Sequence, residues 1–182
     1  MNLPNKLTLL RVVLIPFFAA ALMIDFTGHI WAALAVFAAA SITDWFDGKI
    51  ARKNNLVTNF GKFLDPLADK MLVMAALVCF ASLGWCDVAA VIIILGREFM
   101  VSGLRLVTAN EGVVVAAGIW GKLKTAFTMI AFVAIMCIEG IAGHGTAVFA
   151  VSEVLIWISV FFTVVSGGIY LKEYWSYIDP AK

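Results

Sequence analysis

The chain has little charge, few histidines and few cysteines. Of its 182 residues only 14% are Asp, Glu, Lys or Arg, while 63% are hydrophobic; a water-soluble domain is typically about half apolar. Only His29 and His144 occur, and neither belongs to a Ser-His or Cys-His arrangement, so no covalent nucleophilic mechanism is indicated. The cysteines, Cys79, Cys86 and Cys137, are odd in number and lack metal-ligand spacing. That excludes a disulfide framework and a zinc site and leaves buried apolar thiols. Linkers, low-complexity tracts and internal repeats are also missing, so residues 1–182 read as a single domain. The formal net charge of +1 carries little information about partners, and none among nucleic acids is expected.

What is present is a succession of apolar runs of the length a bilayer requires. They predict an all-α integral membrane protein with six transmembrane helices, at about 7–24, 29–50, 61–84, 87–108, 120–140 and 147–171. The first run has the shape of a signal peptide, but Arg11 within it and the five runs that follow favour a retained span. The turns at 25–28, 85–86 and 141–146 contain no Lys or Arg; all 13 basic residues fall toward the other side. By the positive-inside rule both termini are cytoplasmic. Trp31 and Trp85 at the far interface, and Trp120, Tyr174, Trp175 and Tyr177 at the near one, fit aromatic belts.

Four aspartates interrupt this apolar pattern. Asp44 and Asp47 stand three apart at the end of the second run, Asp65 and Asp69 four apart at the start of the third. On helices each pair shares a face. An ionised side chain at mid-bilayer costs roughly 2.5–3.5 kcal/mol, so four facing lipid would cost on the order of 10 kcal/mol. They are therefore expected to line a polar, metal-binding cavity at the cytoplasmic side. Four hard oxygen donors suit two divalent cations, Mg²⁺ or Mn²⁺, with room left for substrate phosphates. Pro66 follows Asp65 directly, which leaves two readings: a third helix capped by Asp65, or a helix running through a kink.

The pattern Asp44-x2-Asp47-Gly48-x2-Ala51-Arg52-x8-Gly61-x3-Asp65-x3-Asp69 resembles the signature of the CDP-alcohol phosphotransferase family. Those membrane enzymes join an alcohol to the phosphoryl group of a CDP-linked donor. The resemblance implies that Asp44, Asp47, Asp65 and Asp69 hold two metal ions and that Asp69 is the general base. It places Gly48, Ala51 and Gly61 around the cytidine, with Asp47 and Asp65 also on the donor side, and Arg52 against the diphosphate. Small residues admit a nucleotide closely, and a guanidinium pairs with phosphate oxygens. For Gly48, Ala51 and Gly61 the competing reading is close helix packing.

The acceptor must be sought in the remaining basic residues. Arg97 follows the run Val91-Ile92-Ile93-Ile94-Leu95-Gly96, deeper than positive-inside topology explains, and Arg105 lies eight residues on, roughly 12 Å along a helix. The segments 2–11, 97–105 and 121–125 resemble one branch of the family, whose donor is CDP-diacylglycerol and whose acceptor is sn-glycerol 3-phosphate. That resemblance makes Thr8, Arg11, Arg97, Arg105 and Lys124 candidates for the acceptor phosphate. It also implies a homodimer among membrane lipids, in a bacterial cytoplasmic (inner) membrane with the active site facing the cytoplasm. The alternatives are a family member using inositol phosphate, serine or another alcohol, and, in a different class, a cation transporter. Clustering of the aspartates at one face argues against transport.

Overall fold

The computed structural model describes residues 2–53, 58–113 and 118–178; the side chains of 3–4, 44–53, 59, 62–63 and 110 lie outside the described set. Among the described residues the regular elements are helices: α1 Leu3–Met23, α2 His29–Lys53, α3 Asn59–Ser82, α4 Val88–Asn110, α5 Ile119–Ala142 and α6 Thr146–Glu173, followed by a 3-10 turn at Trp175–Tyr177. Each apolar run read from the sequence falls on one of them.

Local chemistry sets the boundaries. Asn2 caps α1 by accepting from the Asn5 backbone N–H, and Thr58 caps α3 by accepting from that of Gly61, satisfying donors that a helix start leaves unpaired. The cap of α3 is thus Thr58 rather than Asp65, and Pro66 sits inside the helix, where its missing N–H removes one backbone bond. Beyond the C-terminal ends of α3 and α4, Gly84 and Gly112 have φ of 72° and 75°. A Cβ is unfavourable in that left-handed conformation, so glycine is the natural terminator.

Among the described residues three helices, α1, α5 and α6, are long and apolar enough to cross a membrane. In α2 the described side chains form an apolar stretch at His29–Thr43; α3 carries Lys62, Asp65, Asp69 and Lys70, and α4 carries Arg97, Glu98 and Arg105. Large apolar side chains are nonetheless exposed, including Phe17 on α1, Leu106 on α4, Ile130 on α5 and Phe161 on α6, which is the surface of a membrane protein.

The chain forms two compact units. The first comprises Met1–Leu83 and Met136–Gly143, the second Gly84–Ile135 and His144–Lys182. In the first, α1 packs on α2 and α3, with Phe18 against Phe37 at 5.6 Å between ring centroids and Leu22, Ala33, Ala68, Leu72 and Phe80 buried. Trp31 lies over Gly140, where a Cβ would come within 3.1 Å of the indole. In the second, α4 packs on α6, and Phe127 of α5 stacks on Phe162 of α6 at 4.3 Å. Contacts fix the directions within each unit. Asp87, Arg97 and Arg105 meet Glu153, Ser166 and Tyr170 in order, so α4 and α6 run parallel. Phe127 meets Phe162 while Gly118 meets Tyr170, so α5 runs antiparallel to α6.

One interfacial expectation changes. Trp85 is only 4% exposed, so it belongs to the packed interior and not to an aromatic belt. His29 is partly buried, 3.9 Å from Asp25 and edge-on to Phe26, whereas His144 is exposed. All three cysteines are free; Cys79 and Cys86 are buried.

Candidate functional site

In the first unit the start of α1 lies beside the start of α3. Thr58 Oγ1 donates to Asn5 Oδ1 at 3.0 Å, and one turn further Thr8 Oγ1 donates to Asp65 Oδ1 at 2.6 Å. Asn5 and Thr8 are buried, as is Arg11; Asp65 is exposed and Asp69 partly so. The neutral hydroxyl of Thr8 is thus inside while the carboxylate it holds is exposed. Thr8, expected at the acceptor phosphate, is bonded here to one of the carboxylates. Gly61, expected beside the cytidine, is buried; a Cβ there would lie 3.0 Å from Asn5 Oδ1, 3.3 Å from Thr58 Oγ1 and 3.6 Å from Asp65 Oδ2. This is the close-packing role of a glycine: it lets α1 approach the cap of α3.

The backbone of α2 is helical through Lys53, which sets Asp44 and Asp47 at one-turn spacing. The side chains of Asp44, Asp47, Gly48, Ala51 and Arg52 lie outside the described residues. Among the described residues no three His, Cys, Asp or Glu side chains gather around one ion position. Asp65, exposed, and Asp69, partly buried, stand one turn apart on α3 as hard oxygen donors, and Asp65 is already held in one orientation. That donor chemistry fits a divalent cation.

The second unit gathers the opposite charge. Glu98 is buried and accepts from Arg97 Nη1 at 3.0 Å and from Lys124 Nζ. Adjacent residues of a helix diverge, yet the long Arg97 side chain folds back to its neighbour. Arg97 Nη2 also donates to Ser166 Oγ at 2.7 Å, while its buried Nε has no hydrogen-bond partner among the described residues. Tyr170 meets both arginines. The guanidinium carbons of Arg97 and Arg105 lie 5.7 Å and 5.6 Å from its ring centroid, within cation–π range. Its hydroxyl accepts from the Gly118 N–H at 2.9 Å and from Arg105 at 3.5 Å.

Two glycines make room. A Cβ at Gly167 would sit 2.9 Å from Arg97 Cγ, and one at Gly121 3.2 Å from the Tyr170 hydroxyl. The sequence reading found Arg97, Arg105 and Lys124, and the fold brings them into one cluster. It missed Ser166, Tyr170 and Gly167, because an interior Ser, Tyr and Gly on an apolar helix carry no signal beyond packing. It also missed Asn5 and Thr58, which read as an ordinary helix start and a polar loop.

Comparison with known proteins agrees with this chemistry. The CDP-alcohol phosphatidyltransferase family matches residues 1–165. A Bacillus subtilis (strain 168) protein is 45% identical over 187 residues, covering 96% of this chain and 95% of its own. Relatives from Rickettsia felis, 40% identical with 94% of each chain covered, and Rickettsia typhi, 41% identical with 94% and 96% covered, are similar in extent. All three are named CDP-diacylglycerol–glycerol-3-phosphate 3-phosphatidyltransferase. With an acidic site on α3, a basic cluster on α4 to α6 and near-complete coverage by these relatives, the chain belongs to the CDP-alcohol phosphatidyltransferase family of enzymes.

Proposed function

We infer that this enzyme transfers the phosphatidyl group of CDP-diacylglycerol to sn-glycerol 3-phosphate, giving phosphatidylglycerophosphate and CMP. The reading rests on the relatives named for that reaction and on one feature of the second unit. Arg97 and Lys124 both pair with the Glu98 carboxylate, Arg105 shares the Tyr170 ring with Arg97, and a buried Arg97 N–H is left to donate. An excess of positive charge beside an unsatisfied donor suits an acceptor that itself carries a phosphate. Arg97, Arg105 and Lys124 bind that phosphate, and Tyr170 gives both guanidinium groups an aromatic surface to rest on.

The first unit supplies the donor chemistry. Asp44, Asp47, Asp65 and Asp69 would hold two divalent cations, Mg²⁺ or Mn²⁺, and Arg52 the diphosphate, with Gly48 and Ala51 admitting the cytidine. When bound, the cations neutralise the diphosphate and make CMP a competent leaving group. Asp69 accepts the proton of the acceptor hydroxyl as its oxygen bonds to the distal phosphorus. The bond from that phosphorus to the CMP oxygen breaks, and CMP leaves with its electron pair. No side chain becomes covalently modified.

The six helices are six membrane spans of one domain, 1–182, with both termini and the carboxylates on the cytoplasmic side of a bacterial inner membrane. The protein works among membrane lipids as a homodimer. The test is CMP release from CDP-diacylglycerol by purified protein against glycerol 3-phosphate, inositol phosphate and serine, with and without Mg²⁺ or Mn²⁺. Release is expected with glycerol 3-phosphate and divalent cation only; equal release with inositol phosphate or serine overturns the acceptor assignment.

A further inference from the structure

The contacts between α1 and α3 carry a second inference, which rests on the metal-binding reading above and deepens it. Asn5 and Thr8 are one turn apart on α1, and they engage Thr58 and Asp65 at the beginning of α3. Both α1 residues are almost fully buried, so their hydroxyl and amide do not exchange partners readily with water. Burial without such partners would be costly. The Thr58 hydroxyl is used twice, accepting from the Gly61 N–H and donating to Asn5, so the cap of α3 and its attachment to α1 are one structure. Gly61 leaves the space in which this attachment fits.

We propose that Thr8 is a positioning residue for the Asp65 carboxylate, fixing the orientation in which it receives a divalent cation. A carboxylate has about four lone-pair sites, and the Thr8 hydroxyl takes only one of them, on Oδ1. Oδ2 lies on the Gly61 side. An exposed aspartate otherwise samples its rotamers and the broad rotation about its terminal bond; a 2.6 Å hydrogen bond from a buried hydroxyl on another helix restricts both. Partners that orient a metal ligand typically change metal affinity 10- to 100-fold when removed. Thr8 thereby acts on the metal through Asp65, rather than on the acceptor phosphate.

The test uses the purified full-length protein in detergent and Mn²⁺ alone as the probe, with bound metal read by electron paramagnetic resonance. Thr8→Val keeps the shape and removes the hydroxyl; it should weaken Mn²⁺ binding about tenfold. Thr8→Ser keeps the hydroxyl and should stay within about threefold of the parent. At saturating Mn²⁺, Thr8→Val should change KM for glycerol 3-phosphate by less than about twofold. If Thr8→Val does not fold, Thr8→Ala must weaken Mn²⁺ in the same sense. Unchanged Mn²⁺ affinity in the folded variant overturns the inference, whether or not KM for glycerol 3-phosphate rises. A parent protein that binds no Mn²⁺ overturns the metal reading itself, and the inference with it.

Discussion

The two units hold their candidate site charges in different ways. In the first, Arg11 and Glu139 are buried, but the exposed carboxylate, Asp65, is held by the neutral hydroxyl of Thr8. In the second, the ions themselves are inside: Glu98 and Lys124 are 8% and 6% exposed, and they are bonded to each other. A group that must capture a cation from solution cannot have its charge already neutralised by the protein, so an uncharged donor holds it. A cluster that must receive an anion can be buried, provided an internal counter-ion offsets part of its desolvation and leaves positive charge in excess. Removing a charge should therefore abolish chemistry in the first unit and weaken acceptor binding in the second.

The sharpest break of that contrast is at Asp69. Asp69→Asn is expected to lower CMP release by about 10²–10⁴-fold, the range for a lost general base, while the protein remains inserted and folded. Divalent-dependent turnover should be measured, and activity within tenfold of the parent would reject the base. Next comes Arg97→Ala, for which KM for glycerol 3-phosphate should rise about 10- to 100-fold, as for a lost charge-assisted hydrogen bond. KM for the liponucleotide should hardly move. Equal losses toward both substrates would erase the division of labour between the units.

A smaller effect is expected at Gly167, which contacts no substrate in this scheme. Its alanine variant forces Arg97 to shift from a 2.9 Å overlap, and misplacement of a binding group should raise KM for glycerol 3-phosphate by about tenfold or less. Unaltered kinetics would mean that the Arg97 position is not limiting. The smallest effect belongs to Cys86, in the turn before α4. Burial, and then the nearby Glu153 and Asp87 carboxylates, push its thiol up to about 12, so at pH 7–8 the reactive thiolate is scarce. Maleimide should label Cys86 only after denaturation, and Cys86→Ala should retain activity; rapid labelling of the folded protein would show that the turn opens.

Much of this arrangement was legible in the sequence. Apolar runs gave the helices to within a few residues because a bilayer-scale run leaves few alternatives for its backbone. Charge in an apolar setting singled out Asp65, Asp69 and Arg97 for the same energetic reason, whereas Arg105 and Lys124 were marked as acceptor candidates by the family resemblance. Pairings between helices were not legible. Nothing in Asn5-Lys6-Leu7-Thr8 indicates that residue 8 meets Asp65, since a helix periodicity says which residues share a face and not what that face meets. The bond between Glu98 and the adjacent Arg97 depends on the rotamer of a long side chain. Tyr170, a phenol among apolar residues of α6, meets Arg97 and Arg105 only once α4 and α6 are packed.

The bond between Arg97 and Glu98 also bears on how the protein is made. Lys124 and Ser166 are synthesised after α4, so they cannot pair with Arg97 when that helix first forms. Because Glu98 is the next residue in the chain, α4 carries a counter-ion for Arg97 from the start, and on the six-span reading proposed above this lowers the cost of entering lipid before the later helices complete the cluster.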